Sequence, residues 1–110
     1  MAPESYHVAM FKALSYLYAC IEAGVEPSAA KAEEVTGINP VFYRSVIGDM
    51  ADCGYVRADL KGMGSYSGLS ITAKGVKFLR DDADMEDVRS YLGSACSSLI
   101  DRAVGATREL

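Results

Sequence analysis

The apolar residues of this chain follow a helical period up to Gly54, an alternating one from Tyr55, and a helical one again after Thr72. Two extended runs, Tyr55-Val-Arg-Ala-Asp-Leu60 and Leu69-Ser-Ile-Thr72, flank a cluster made of Gly62, Gly64, Ser65, Ser67 and Gly68. Alternation bounded by turn residues marks paired strands. The stretch therefore predicts one β-hairpin with a loop of about seven residues, longer than the tight two-residue kind. Everything around it is helical. The expected fold class is mainly α with a small antiparallel β-hairpin.

Upstream, Met10, Phe11, Leu14, Leu17, Tyr18 and Ile21 build one apolar stripe on a helix from Glu4 to Ala23. Pro27 and Ser28 open a short second helix through Ala29, Ala32 and Val35, and Gly37 closes it. Asn39 then caps a third helix, with Pro40 at the first helical position, where its missing N–H costs nothing. Phe42, Tyr43, Val46, Ile47 and Met50 face inward; Val41, Arg44, Ser45, Gly48 and Asp52 face out. Gly54 ends this helix at a turn that a Cβ is expected to obstruct. Downstream, Thr72 caps a short helix over Ala73–Arg80, and Asp84 is the expected cap of the last helix.

That last helix repeats Met85, Val88, Leu92, Ala95 and Leu99 in a heptad-like seam. The seam has two readings. It packs on the first helix and completes the core, or it pairs with its symmetry mate in a homodimer. The length of the seam favours the second.

With 110 residues the chain is long enough for one domain. Residues 1–80 and 81–110 are read as two parts of it. No apolar run has membrane-spanning length, and the N-terminus lacks a basic region and an apolar signal core. The expectation is a cytoplasmic protein without a membrane partner. Cys20, Cys53 and Cys96 are scattered, suit small buried positions and have no zinc-ligand spacing. His7 stands alone as the single histidine and reads as a surface residue of the first turn. Gly62-Met-Gly64 lies between strands and lacks the ending of a phosphate loop. Asp82, Asp84 and Glu86 begin like a calcium loop, but Asp87 and Gly93 stand where glycine and glutamate are needed. No metal, cofactor or catalysis is expected.

The net charge is −4, yet its distribution is uneven. Over residues 44–80, Arg44, Arg57, Lys61, Lys74, Lys77 and Arg80 outnumber Asp49, Asp52 and Asp59. Both flanks are acidic.

The order helix, helix, helix, strand, strand, helix resembles a winged helix-turn-helix, here with an additional C-terminal helix. Three segments carry the resemblance: Ile38-Asn-Pro40, Met50-Ala-Asp-Cys-Gly-Tyr-Val56 and Leu69-Ser-Ile-Thr-Ala-Lys-Gly-Val-Lys-Phe-Leu79. They are most similar to the small YjcQ-like family of bacterial and prophage winged-helix proteins, over about residues 8–80. The resemblance implies a DNA-binding transcriptional regulator. Its third helix would enter the major groove with Arg44 and Ser45. Arg57, Lys61 and Tyr66 of the wing, with Lys74 and Lys77 at its base, would meet backbone or groove edges. The alternative is an acidic winged-helix module that binds a protein, such as a phage-encoded inhibitor or adaptor.

Overall fold

The structure is a computed structural model that describes residues 2–61 and 65–110, and for residues 60, 61 and 65–67 the backbone alone. The elements run α1 (Ser5–Ala23), α2 (Ala29–Thr36), α3 (Pro40–Asp52), β1 (Val56–Lys61), β2 (Ser65–Ile71), α4 (Ala73–Asp81) and α5 (Ala83–Arg108). This is the winged helix-turn-helix order, followed by an extra helix.

α1 is the spine, because α2, α3, α4, α5 and β2 all pack on it. A helix enclosed on several sides buries more than one stripe. Ala9, Ala13, Leu14, Tyr16, Leu17 and Cys20 are all fully buried. The single-stripe reading assumed one neighbour, so it left out Tyr16 and misplaced Ile21, which is half exposed; Cys20 is buried as expected of a small apolar residue. Tyr16 binds three segments at once. Its hydroxyl accepts from the Ser28 N–H at 3.1 Å and meets Thr107 Oγ1 at 2.6 Å. Thr107 donates to the Ala103 carbonyl, so Tyr16 is the donor to Thr107. α1, the start of α2 and the end of α5 are thereby joined by a satisfied buried network.

The caps of α2 and α3 follow the local sequence. Ser28 accepts from the Lys31 N–H, and Asn39 accepts from the Phe42 N–H at 2.8 Å. Gly37, Ile38 and Asn39 form the three-residue turn between the two helices of the helix-turn-helix.

The hairpin is more regular than its sequence implies. β2 starts at Ser65, so Ser65 to Gly68 continue the ladder and do not belong to a seven-residue loop. Residues 62–64 lie outside the described residues. The register pairs Val56 with Ile71, Arg57 with Ser70, Ala58 with Leu69 and Asp59 with Gly68, then slips by one residue before Leu60. Backbone pairing tolerates glycine and serine where one face is solvated, and the slip absorbs the extra residue. Val56, Leu69 and Ile71 point to the core.

At the base of the hairpin one residue ties three elements together. The Thr72 N–H donates to the Tyr55 carbonyl at 3.0 Å, and its hydroxyl donates to the Gly54 carbonyl at 2.5 Å. The same hydroxyl accepts from the Gly75 N–H and caps α4. Gly54 turns here through a backbone φ of +82°; the nearest atom to a Cβ would be Lys74 Cδ at an ordinary 3.6 Å. The backbone angle, and not obstruction, requires glycine there. At Gly75 the reverse holds. A Cβ there would lie 2.1 Å from the Tyr55 carbonyl oxygen. The close approach also stacks Tyr55 on Phe78 at 4.1 Å between ring centroids.

α5 departs from the expected seam twice. Its cap is Asp82, whose carboxylate accepts from the Asp84 and Met85 N–H groups; Asp84 lies inside the first turn. Asp82 also closes α4 through its own N–H to the Phe78 carbonyl, so a cap at Asp84 would leave that junction two residues too long. Gly93 then interrupts the helix with φ +62° and ψ −152°, a backbone that only glycine adopts readily. The break turns the second half. Met85 and Val88 are fully buried within the chain, and burial resumes at Cys96, Ile100 and Val104. Leu92 and Leu99 are half buried, and Ala95 is exposed. The five seam residues therefore do not share one continuous face. Among the described helices none is long and apolar enough to cross a membrane.

Gly75→Ala should destabilise the fold by about 1–3 kcal/mol, the usual cost of overpacking against atoms that cannot yield. Urea unfolding checks it; an unchanged midpoint would mean that α4 does not rest on Tyr55 as described.

Candidate nucleic-acid interface

The outward face of α3 follows from its inward one. Tyr43, Val46, Ile47 and Met50 fill the core, which leaves Val41, Arg44 and Ser45 exposed at i, i+3 and i+4. They form one patch on the first half of the helix. Arg57 is exposed on the outer face of β1, opposite Ser70 and two residues from Asp59 on the same face. Lys74 and Lys77 are exposed on α4, and the Lys74 ammonium lies 5.8 Å from the centre of the Tyr55 ring. The side chains of Lys61 and Tyr66 lie outside what is described.

These cations do not make a single cluster. At 1.5 Å of rise per residue, Arg44 stands about 12 Å along the axis from the end of α3 at Asp52. Lys74 belongs to that far end, at the junction with β1. The result is one group of polar residues at the head of α3, with Lys74 and Lys77 at the base of the wing.

The acids of α3 are treated differently from one another. The Tyr6 phenol donates to the Asp49 carboxylate and, at 3.3 Å, to the Ser45 carbonyl. Asp49 is thus tied to the start of α1, although both Asp49 and Asp52 are exposed. Tyr6 also faces the Phe42 ring, with 6.0 Å between centroids. Burial, then the hydrogen bond to Asp49, pushes the Tyr6 phenol up from 10.0 to about 12. It stays a proton donor throughout the neutral range. Nothing in the sequence pairs Tyr6 with a residue 43 positions away; an aromatic in the first turn of α1 is the only local trace.

His7 Nε2 sits 3.9 Å from Asp84 beside a cleft that also holds Glu4, Asp87 and Ser90. Among the described residues no group of three or more His, Cys, Asp or Glu is placed to hold a metal ion. Cys20 and Cys96 are buried, and burial pushes both thiols up. Cys53, expected inside, is exposed because it lies at the C-terminal cap of α3, where the chain turns toward β1.

The fold is that of the winged-helix class. Comparison with protein-family models, curated proteins and solved structures finds no match to this chain. The winged-helix assignment rests on element order, the three-residue turn and the Thr72 junction.

The Tyr6 link can be tested by titration. One tyrosine should ionise near pH 12 in an ultraviolet pH titration, and Asp49→Asn should lower that value. Since the unfolded phenol ionises near 10, stability carried by Tyr6 is complete below pH 10 and declines as pH rises from there toward 12. Burial raises Tyr16 and Tyr55 as well, so the comparison is made by difference: wild type minus Tyr6→Phe should isolate one phenol that ionises near pH 12, and a difference that titrates near 10 would refute the assignment.

Proposed function

We propose that this chain is a winged-helix DNA-binding protein, a transcriptional regulator of bacterial or prophage type that acts without catalysis. The observation that carries the reading is the exposed head of α3, where Arg44 and Ser45 stand together. In a helix-turn-helix the first half of the second helix is the part that meets base edges. A guanidinium and a hydroxyl suit that position, because Arg bonds guanine bidentately and Ser bonds several base edges. Arg57 on the wing and Lys77 near its base add charges that phosphates would attract. Kinship with the YjcQ-like family is the finer form of this reading, supported by the three sequence segments that resemble it.

A second reading is favoured by charge. The chain carries −4 overall, and Asp52 and Asp59 are exposed on α3 and β1. An acidic winged-helix module that docks on a protein would have this surface. Salt dependence separates the two, since each phosphate contact releases counterions from DNA.

Fluorescence anisotropy of a labelled mixed-sequence duplex should show binding at low salt that weakens steeply as salt rises. Arg57→Ala with Lys77→Ala should lower the slope of log K against log salt by about 2, roughly one for each phosphate that is no longer neutralised. No binding at low salt would overturn the DNA reading in favour of the protein-docking one.

A further inference from the structure

We infer that the cleft between α2 and α5 binds a small organic acid, a carboxylate on an aromatic or branched apolar body, whether or not α3 meets DNA. The cleft encloses about 350 Å³. That is within the range of small-ligand sites and well above the ~150 Å³ that admits benzene. Its walls are apolar, formed by Val35 of α2 and by Leu99, Ala103 and Ala106 of α5. The two alanines leave space that longer side chains would fill. Nearby, the Tyr16 bonds to the Ser28 N–H and to Thr107 pin the start of α2 and the end of α5. A cleft pinned in this way is formed before a ligand arrives, so little ordering opposes binding.

The rim is charged, and its balance is positive. Arg102 stands on α5 one turn before Ala106, exposed and, among the described residues, without an ion pair or hydrogen bond. Lys31 closes the α2 side. Its side chain is only 27% exposed, so the stem is largely covered, while the ammonium donates to Glu34 at 3.2 Å. Two cations against the single Glu34 carboxylate leave one positive charge beside an apolar wall. A guanidinium without a partner matches the two oxygens of a carboxylate bidentately. Size selects a small molecule over a second copy of the chain. Seven residues line the cleft, whereas a stable protein interface takes roughly 20–30 on each side.

Backbone amide shifts of isotope-labelled protein, recorded as phenylacetate is added, test this. Phenylacetamide removes the charge from the same body, and acetate removes the body from the same charge. Phenylacetate should give saturable changes largest at Val35, Leu99 and residues 102–106, and both controls should bind about tenfold more weakly or worse. Arg102→Gln should weaken phenylacetate about tenfold, as expected for losing one charge-assisted pair, and leave phenylacetamide unaffected. Circular dichroism confirms that this exposed-site variant is folded. Equal binding of phenylacetamide, or phenylacetate binding that survives Arg102→Gln, overturns the assignment of a carboxylate site. So does the absence of saturable change at millimolar phenylacetate, or change centred on another cleft. Shifts of the same amides on raising protein concentration without ligand would overturn it in favour of a second copy seated there.

Discussion

The hydrogen bonds that Thr72 makes to Gly54, Tyr55 and Gly75 fix the geometry on which the rest of the molecule depends. They hold together the end of α3, the open end of the hairpin and the first turn of α4. Each bond is short-range in space but joins residues up to 18 positions apart. The Gly75 approach to the Tyr55 carbonyl and the stacking of Tyr55 on Phe78 complete the joint and leave it no room for adjustment. Since Val56 and Ile71 then enter the core, the outer face of the wing is set relative to α3. The proposed interface inherits its shape from this joint.

α1 supplies the second constraint. With five elements packed on it, the helix has little surface left to give, and its polar groups are used as ties. Tyr16 fastens α5 and the start of α2; Tyr6 fastens α3. The second tie holds the exposed Asp49 carboxylate and the Ser45 carbonyl of α3 against the start of α1. Tyr6 acts here by positioning another group.

What could be read from the sequence was what local chemistry decides. Ser28, Asn39 and Thr72 cap their helices because each side chain reaches an N–H three residues ahead. Val41, Arg44 and Ser45 share a face because helical spacing puts them there. What could not be read depended on neighbours distant in sequence. Ile21 fits the apolar stripe, yet no element covers it fully; Tyr16 breaks the stripe, yet α5 encloses it. Asp84 and Asp82 are both chemically able to cap α5, and the closing bond from Asp82 to Phe78 selects the second. Gly93 sits in a helical pattern that gives no sign of its left-handed backbone. The Thr-x-x-Gly motif was visible as a motif, but the reason for its glycine is a carbonyl oxygen 20 residues earlier.

The claim that the head of α3 meets DNA is tested most directly by backbone amide shifts recorded as a mixed-sequence duplex is added to labelled protein. The account predicts that the largest changes fall on residues 41–45 of α3 and on Arg57 of the wing, with α5 unmoved. Changes confined to the cleft between α2 and α5, around Leu99 and Arg102, or no changes at low salt, would contradict it.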